Sequence, residues 1–100
     1  MKVTGNTILI TGGSTGIGFA LADAFLTPDN EVIICSRTEE NLRKAKNQLP
    51  ELNTIKCDVS KEVERQKMHE RVTSNYPDTN VLINNAGIRR MVDLRKGPTD

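Results

Sequence analysis

The stretch TILITGGSTGIG, Thr7 to Gly18, places Gly12, Gly13, Gly16 and Gly18 within seven residues, between a β-branched apolar run and a run of helix formers. A glycine inside a regular element costs about 1 kcal/mol relative to alanine, so the cluster needs a reason. Backbone without Cβ atoms can come close to a phosphate. A helix N-terminus directly behind it offers unpaired N–H groups and about half a unit of positive charge. The chemistry this favours is the holding of a pyrophosphate, although the same glycines also suit a plain strand-to-helix turn. A phosphate loop ending in Gly-Lys-Ser/Thr is excluded, because no lysine stands between Lys2 and Lys44. The dinucleotide pattern GxGxxG is not matched either, since the spacing is Gly12-x-x-x-Gly16-x-Gly18.

Other reactive side chains are few. The two cysteines, Cys35 and Cys57, are 22 positions apart without a CxxC, and His69 is the only histidine. This argues against a zinc site and for free thiols in a reducing cytoplasm. Both cysteines read as small core residues, and His69 as a solvent-facing residue among charges. With 14 basic and 13 acidic residues and three aromatics, the chain has neither the charge nor the stacking groups expected of a nucleic-acid binder. The run Ile8-Leu9-Ile10 is too short for a membrane span. The cluster Arg89, Arg90, Arg95 and Lys96 reads as a solvated loop.

These residues must be positioned by elements. One hundred residues is at most one small domain. Thr7–Thr11 and Glu31–Ser36 read as strands, Asn53–Cys57 as a weaker strand that Lys56 marks as an edge, and Val81–Ile83 as a fourth. Ile17, Ala20, Leu21, Ala24 and Phe25 form an apolar stripe at helical spacing, stopped by Pro28-Asp29-Asn30. A second helix is expected after a Thr38 cap, with Leu42, Ala45 and Leu49 inward. A third is expected after a Ser60 cap, with a poor stripe of Val63, Met68, Val72 and Tyr76. Strands separated by helices run parallel. The expected fold is therefore α/β: a partial, Rossmann-like, doubly wound parallel sheet of four strands and three helices, forming a single domain over 1–100, with 88–100 irregular.

On this scaffold the chain resembles the short-chain dehydrogenases/reductases. Thr11-Gly12-Gly13-Ser14-Thr15-Gly16-Ile17-Gly18 matches the TGxxxGxG motif of that family, Asn84-Asn85-Ala86-Gly87 its NNAG motif, and Asp58-Val59 its acid–valine pair after the third strand. The resemblance spans residues 5 to 90 and implies the strand order 3-2-1-4. It also implies that Gly12, Ser14, Thr15, Gly16, Ile17 and Gly18 surround the pyrophosphate and adenosine ribose of a dinucleotide. Asp58 would accept a hydrogen bond from the adenine amino group beside the Val59 backbone. Asn85, Ala86 and Gly87 would line the cofactor ribose.

The second strand ends in Ser36-Arg37, where NAD-binding members carry an acid for the ribose 2′-hydroxyl. A hydroxyl and a guanidinium suit a 2′-phosphate, so NADP is expected over NAD. Thr15 departs from the many NADP-using relatives that carry a basic residue at that place. The family's Tyr-x-x-x-Lys pair is missing from the 100 residues: Tyr76, the single tyrosine, is followed four residues later by Asn80 and precedes the NNAG motif. The expectation is an NADP-dependent oxidoreductase acting on a small carbonyl or alcohol, of which this chain is the cofactor-binding half and is inactive alone. The alternatives are a non-catalytic nucleotide-binding module and an interaction fragment. Val81–Ile83 would be an exposed edge in this chain, and self-association through it is expected.

Overall fold

The computed structural model describes residues 5–12, 14, 16–26 and 29–85. The elements alternate as β1 (Thr7–Thr11), α1 (Gly16–Phe25), β2 (Glu31–Ser36), α2 (Glu39–Gln48), β3 (Asn53–Lys56), α3 (Glu62–Asn75) and β4 (Val81–Asn84). The strands form one parallel sheet in the order β3-β2-β1-β4. Expected strand limits agree to within a residue, and the strand containing Lys56 does lie at an edge. The register aligns Thr11 with Cys35 and Asn84, and Ser36 with Lys56. The carboxyl ends of all four strands, and the loops leaving them, therefore share one rim of the sheet.

Side-chain alternation divides the core in two. Ile8, Ile10, Val32 and Ile34 face α1 and α2, where they meet Ala22, Leu42 and Ala45, with Leu52 closing the layer. Leu9, Ile33, Cys35, Ile55 and Cys57 face the other way, onto Val72, Met68 and Tyr76 of the α3 layer. Ile8, Ile10, Ile33 and Ile34 are all fully buried, and each such side chain contributes about 1.5–3 kcal/mol of transfer free energy. Burial on both faces explains why β1 and β2 read as continuous apolar runs. β4 is only partly covered, and Leu82 on its uncovered side is 63% exposed.

Three local expectations are corrected. The inner face of α1 is not the Ile17-Ala20-Leu21-Ala24-Phe25 stripe. Gly18 and Ala22 are the buried positions, Phe19, Leu21 and Phe25 pack partly, and Ile17 is 69% exposed. Small residues let the helix lie close to the sheet, so the inward direction follows them rather than the bulkiest side chains. Val63 is likewise exposed, and α3 touches the core only through its later turns. The capping hydroxyls also behave otherwise than expected: neither Thr38 nor Ser60 caps a helix through its side chain. Thr38 is the N-cap of α2 without a side-chain cap bond, and Lys61, not Ser60, is the N-cap of α3. Both residues are tied back to the preceding strand end instead: Ser36 Oγ accepts from the Thr38 N–H at 3.2 Å, and Asp58 Oδ1 accepts from the Ser60 N–H at 3.0 Å and from the Ser60 hydroxyl at 2.6 Å.

The amino-terminal rim is tied by asparagines. The Asn6 N–H donates to Asn30 Oδ1 at 2.9 Å, the Thr7 N–H to Asn80 Oδ1 at 2.9 Å, and Asn80 Nδ2 to Asn6 Oδ1 at 2.9 Å. Asn30 Nδ2 donates to the Phe25 carbonyl at 3.0 Å, which also fixes the end of α1. Asn6 and Asn30 are buried, and buried amides are tolerated where their hydrogen bonds are made. The network joins the starts of β1, β2 and β4, at the rim opposite the loops that carry the candidate site.

Candidate cofactor site

At the carboxyl rim, β1 runs into the glycine turn. Gly12 has φ +68° and Gly16 φ +60°, the left-handed region that side chains with a Cβ disfavour by about 1–2 kcal/mol. The Gly12 peptide is held on both sides: its N–H donates to the Cys35 carbonyl at 2.8 Å, and its carbonyl accepts from Asn85 Nδ2 at 3.1 Å. Thr11 Oγ1 hydrogen-bonds Asn84 Oδ1 at 3.0 Å. The first and last sequence motifs are therefore joined across the β1–β4 pair. A Cβ built at Gly16 meets nothing within 4 Å, so the backbone there borders open space at the start of α1. Ser14 of the loop, Gly16 at the start of α1, and Asn41 and Lys44 of α2 line a shallow cavity of about 270 Å³.

Next along the rim come Ser36 and Arg37. Ser36 is half-buried and Arg37 exposed. No acidic side chain stands at the end of β2, and Ser36 Oγ, while accepting from Thr38, keeps its own proton to donate. Beyond them lies the turn after β3. The Asp58 carboxylate accepts from the Ser60 hydroxyl at 2.6 Å and from the Ser60 N–H at 3.0 Å through Oδ1. These bonds hold its carboxyl below the usual carboxylate range, with Lys61 and Arg37 adding to the effect. Asp58 is thus ionised at neutral pH and can only accept.

The predicted site residues Gly12, Ser14, Gly16, Ile17, Gly18, Ser36, Arg37, Asp58, Val59 and Asn85 all fall on this rim or in the turns and first helical turn that leave it. Thr15, Ala86 and Gly87 lie outside the described residues, as does the 88–100 segment with its basic cluster. Sequence reading missed Glu64, whose Oε1 accepts from the Asp58 N–H at 2.7 Å, and Arg65, whose Nη1 donates to the Val59 carbonyl at 2.6 Å. The available signal was a glutamate three residues into the helix after the Lys61 N-cap, the position from which a capping box reaches back.

Beneath the rim, the two cysteines are free. Burial pushes the Cys35 thiol up to about 12, Cys57 beside it adding to the effect, and raises Cys57 as well. Thiols held protonated are poor nucleophiles, which accords with a packing role. Among the described residues no group of three or more His, Cys, Asp or Glu could hold a metal ion, and no helix is long and apolar enough to cross a membrane.

The sequence profile of the short chain dehydrogenases matches residues 6–99. The chain belongs to the short-chain dehydrogenase family. It is 52% identical over 97 residues to an uncharacterised oxidoreductase, DltE, of Bacillus subtilis (strain 168), covering 97% of this chain and 38% of that relative. A crystal structure of a short chain dehydrogenase from Bacillus anthracis matches with TM-score 0.74 at 33% identity, over 84% of this chain and 35% of the other. The F189W actinorhodin polyketide ketoreductase, solved with NADPH, matches with TM-score 0.74 at 31% identity, over 80% of this chain and 32% of the other. The chain thus spans about a third of the length of these relatives. The rim fits a nicotinamide dinucleotide by its own chemistry: two left-handed glycines open a helix N-terminus to an anion, and an ionised Asp58 offers acceptors further along the edge.

Proposed function

We propose that this chain is the cofactor-binding part of an NADP-dependent short-chain dehydrogenase that moves hydride between the nicotinamide and a small carbonyl or alcohol in the cytoplasm. The observation that carries the cofactor choice is Ser36-Arg37 at the end of β2, a hydroxyl and an exposed guanidinium where a 2′-hydroxyl reader would need a carboxylate. A carboxylate there would repel a 2′-phosphate, whereas a guanidinium binds one through paired, charge-assisted hydrogen bonds. Gly12, Ser14, Thr15, Gly16, Ile17 and Gly18 would hold the pyrophosphate and adenosine ribose, Asp58 and Val59 the adenine, and Asn85, Ala86 and Gly87 the other ribose. The actinorhodin ketoreductase, a relative in fold and sequence solved with NADPH, supports the same cofactor.

The test is calorimetry on the intact protein. NADPH should bind about ten- to a hundred-fold more tightly than NADH, the range set by one charge-assisted pair. Arg37→Ala should remove most of that preference and leave NADH binding nearly unchanged. Equal affinities in the unmutated protein would overturn the assignment.

Two further readings belong to the segment itself. No tyrosine in the 100 residues has a lysine four residues on, so the segment alone is expected to turn over no substrate. The outer edge of β4 pairs with no strand among the described residues, and Leu82 stands exposed beside it. An unpaired edge of this kind is a template for another chain, and we propose that the isolated segment self-associates there.

A further inference from the structure

The turn after β3 is built more completely than a simple strand-to-helix connection requires. Both backbone groups of Asp58 have a partner: its N–H donates to Glu64 Oε1 at 2.7 Å, and its carbonyl accepts from the Lys61 N–H at 3.0 Å. Asp58 Oδ1 takes both Ser60 donors, and the Val59 carbonyl takes Arg65 Nη1 at 2.6 Å. Among the described residues no protein group takes Asp58 Oδ2 or the Val59 N–H. One acceptor and one donor, on consecutive residues at the rim of the sheet, thus remain open to a ligand. The Watson–Crick edge of adenine offers the complementary pair, an N6–H donor next to the N1 acceptor. Hypoxanthine offers the reverse, a carbonyl oxygen next to an N1–H.

We propose that Glu64 is a positioning residue that orients the Asp58–Val59 turn, and through it sets the preference for an adenine over a hypoxanthine nucleotide. This rests on the reading of Asp58 and Val59 as the adenine contact. Glu64 is the third residue of α3, and it reaches past the N-cap to the strand end. The Val59 N–H belongs to the Asp58–Val59 peptide, whose carbonyl accepts from the Lys61 N–H at 3.0 Å, and Glu64 holds the N–H of the peptide just before it, which fixes the direction from which the Asp58 backbone enters the turn. Arg65 holds the carbonyl of the Val59–Ser60 peptide, so two consecutive residues of α3 fix the peptides on either side of the one that carries the Val59 N–H. Glu64 would touch no part of the nucleotide, so its effect on the base must pass through Asp58.

The experiment measures binding of NADPH and of its deaminated analogue, nicotinamide hypoxanthine dinucleotide phosphate, to the intact protein. The unmutated protein should prefer the adenine form by about ten-fold or more, and Asp58→Ala should abolish the preference. Glu64→Ala should lower that ratio by about three-fold or more while leaving the NADPH-to-NADH ratio, set at Ser36-Arg37, unchanged. Glu64→Gln keeps an accepting oxygen at the same reach and should restore the ratio. Glu64→Asp keeps the charge at the helix start but withdraws the carboxylate by one methylene, and should behave as the alanine variant does. It also carries the test if Glu64→Ala does not fold. An adenine preference that depends on Asp58 but survives in Glu64→Asp overturns the inference alone. A preference that survives Asp58→Ala, or is absent from the unmutated protein, overturns the adenine reading on which it stands.

Discussion

Gly16 shows how a single residue can be required for its backbone and not for lack of room. Its φ is +60°, yet a Cβ there would meet nothing within 4 Å. The cost of Gly16→Ala is therefore conformational, about 1–2 kcal/mol, with no added clash. Gly16→Asn should cost less than Gly16→Val, because asparagine tolerates the left-handed region and β-branched residues do not. Urea denaturation of the three variants should return that order. Cys35 gives a second prediction at this scale. Its thiol is raised from 9.0 to about 12 by burial, so the unfolded chain loses the proton first as the pH rises. Stability is therefore unaffected below pH 9 and falls between pH 9 and 12, by at most about 1.4 kcal/mol per pH unit for this one group. Cys35→Ala should flatten that part of the alkaline stability profile, read by thermal unfolding from pH 8 to 11, at the expense of a small cavity. A wild-type profile and a variant profile of equal slope would remove the thiol as the cause.

Among the elements, β1 and β2 were readable almost to the residue because both of their faces are buried and their composition carries no other message. The turns that build the rim were readable for a different reason: glycines, an acid and paired asparagines stand where strands end. Helix orientation was not. In α1 the sequence offers Ile17 as the head of an apolar stripe, but the sheet accepts the helix through Gly18 and Ala22. Periodicity reports that a helix has an apolar side; it does not report which side can approach most closely. Two substitutions separate the two orientations. Ile17→Lys, at a side chain 69% exposed, should leave stability within about 0.5 kcal/mol. Ala22→Leu, at a fully buried position, should cost about 1–3 kcal/mol by overpacking. Equal effects in chemical denaturation would restore the stripe read from sequence. The bonds around Asp58 were illegible for a related reason: Glu64 and Arg65 look like ordinary surface charges until the turn brings the Asp58 and Val59 peptides to them.

At the scale of the molecule, the described residues cover the sheet unevenly. α1 and α2 pack against β1 and β2 on one face, and α3 lies over β2 and β3 on the other, which leaves Leu82 of β4 exposed. The isolated segment should therefore sediment as a dimer at micromolar concentration, most simply with β4 strands antiparallel across a two-fold axis. Leu82→Lys should shift it toward monomer, since a charge on an edge strand opposes pairing. A well-folded monomer at high micromolar concentration would count against this.

The asparagine ties at one rim and the Thr11–Asn84 and Gly12–Asn85 bonds at the other attach β4 to β1 across 73 or 74 positions of chain. The other strand pairs close over far shorter spans: Leu9 meets Ile33, and Ile34 meets Thr54. During synthesis, β1 with β2 and then β2 with β3 can form as each emerges, while the remaining edge of β1 waits for residues near 80. Loop-closure entropy grows only slowly with length, so this delay adds little to the equilibrium. It falls on the order of events, because non-local pairing is what slows folding. The strand that completes the glycine turn from the far side is thus the last of the four to dock. The grip of Asn85 on the Gly12 carbonyl then follows the pairing of β1, β2 and β3, and the candidate cofactor rim is closed only once β4 has docked.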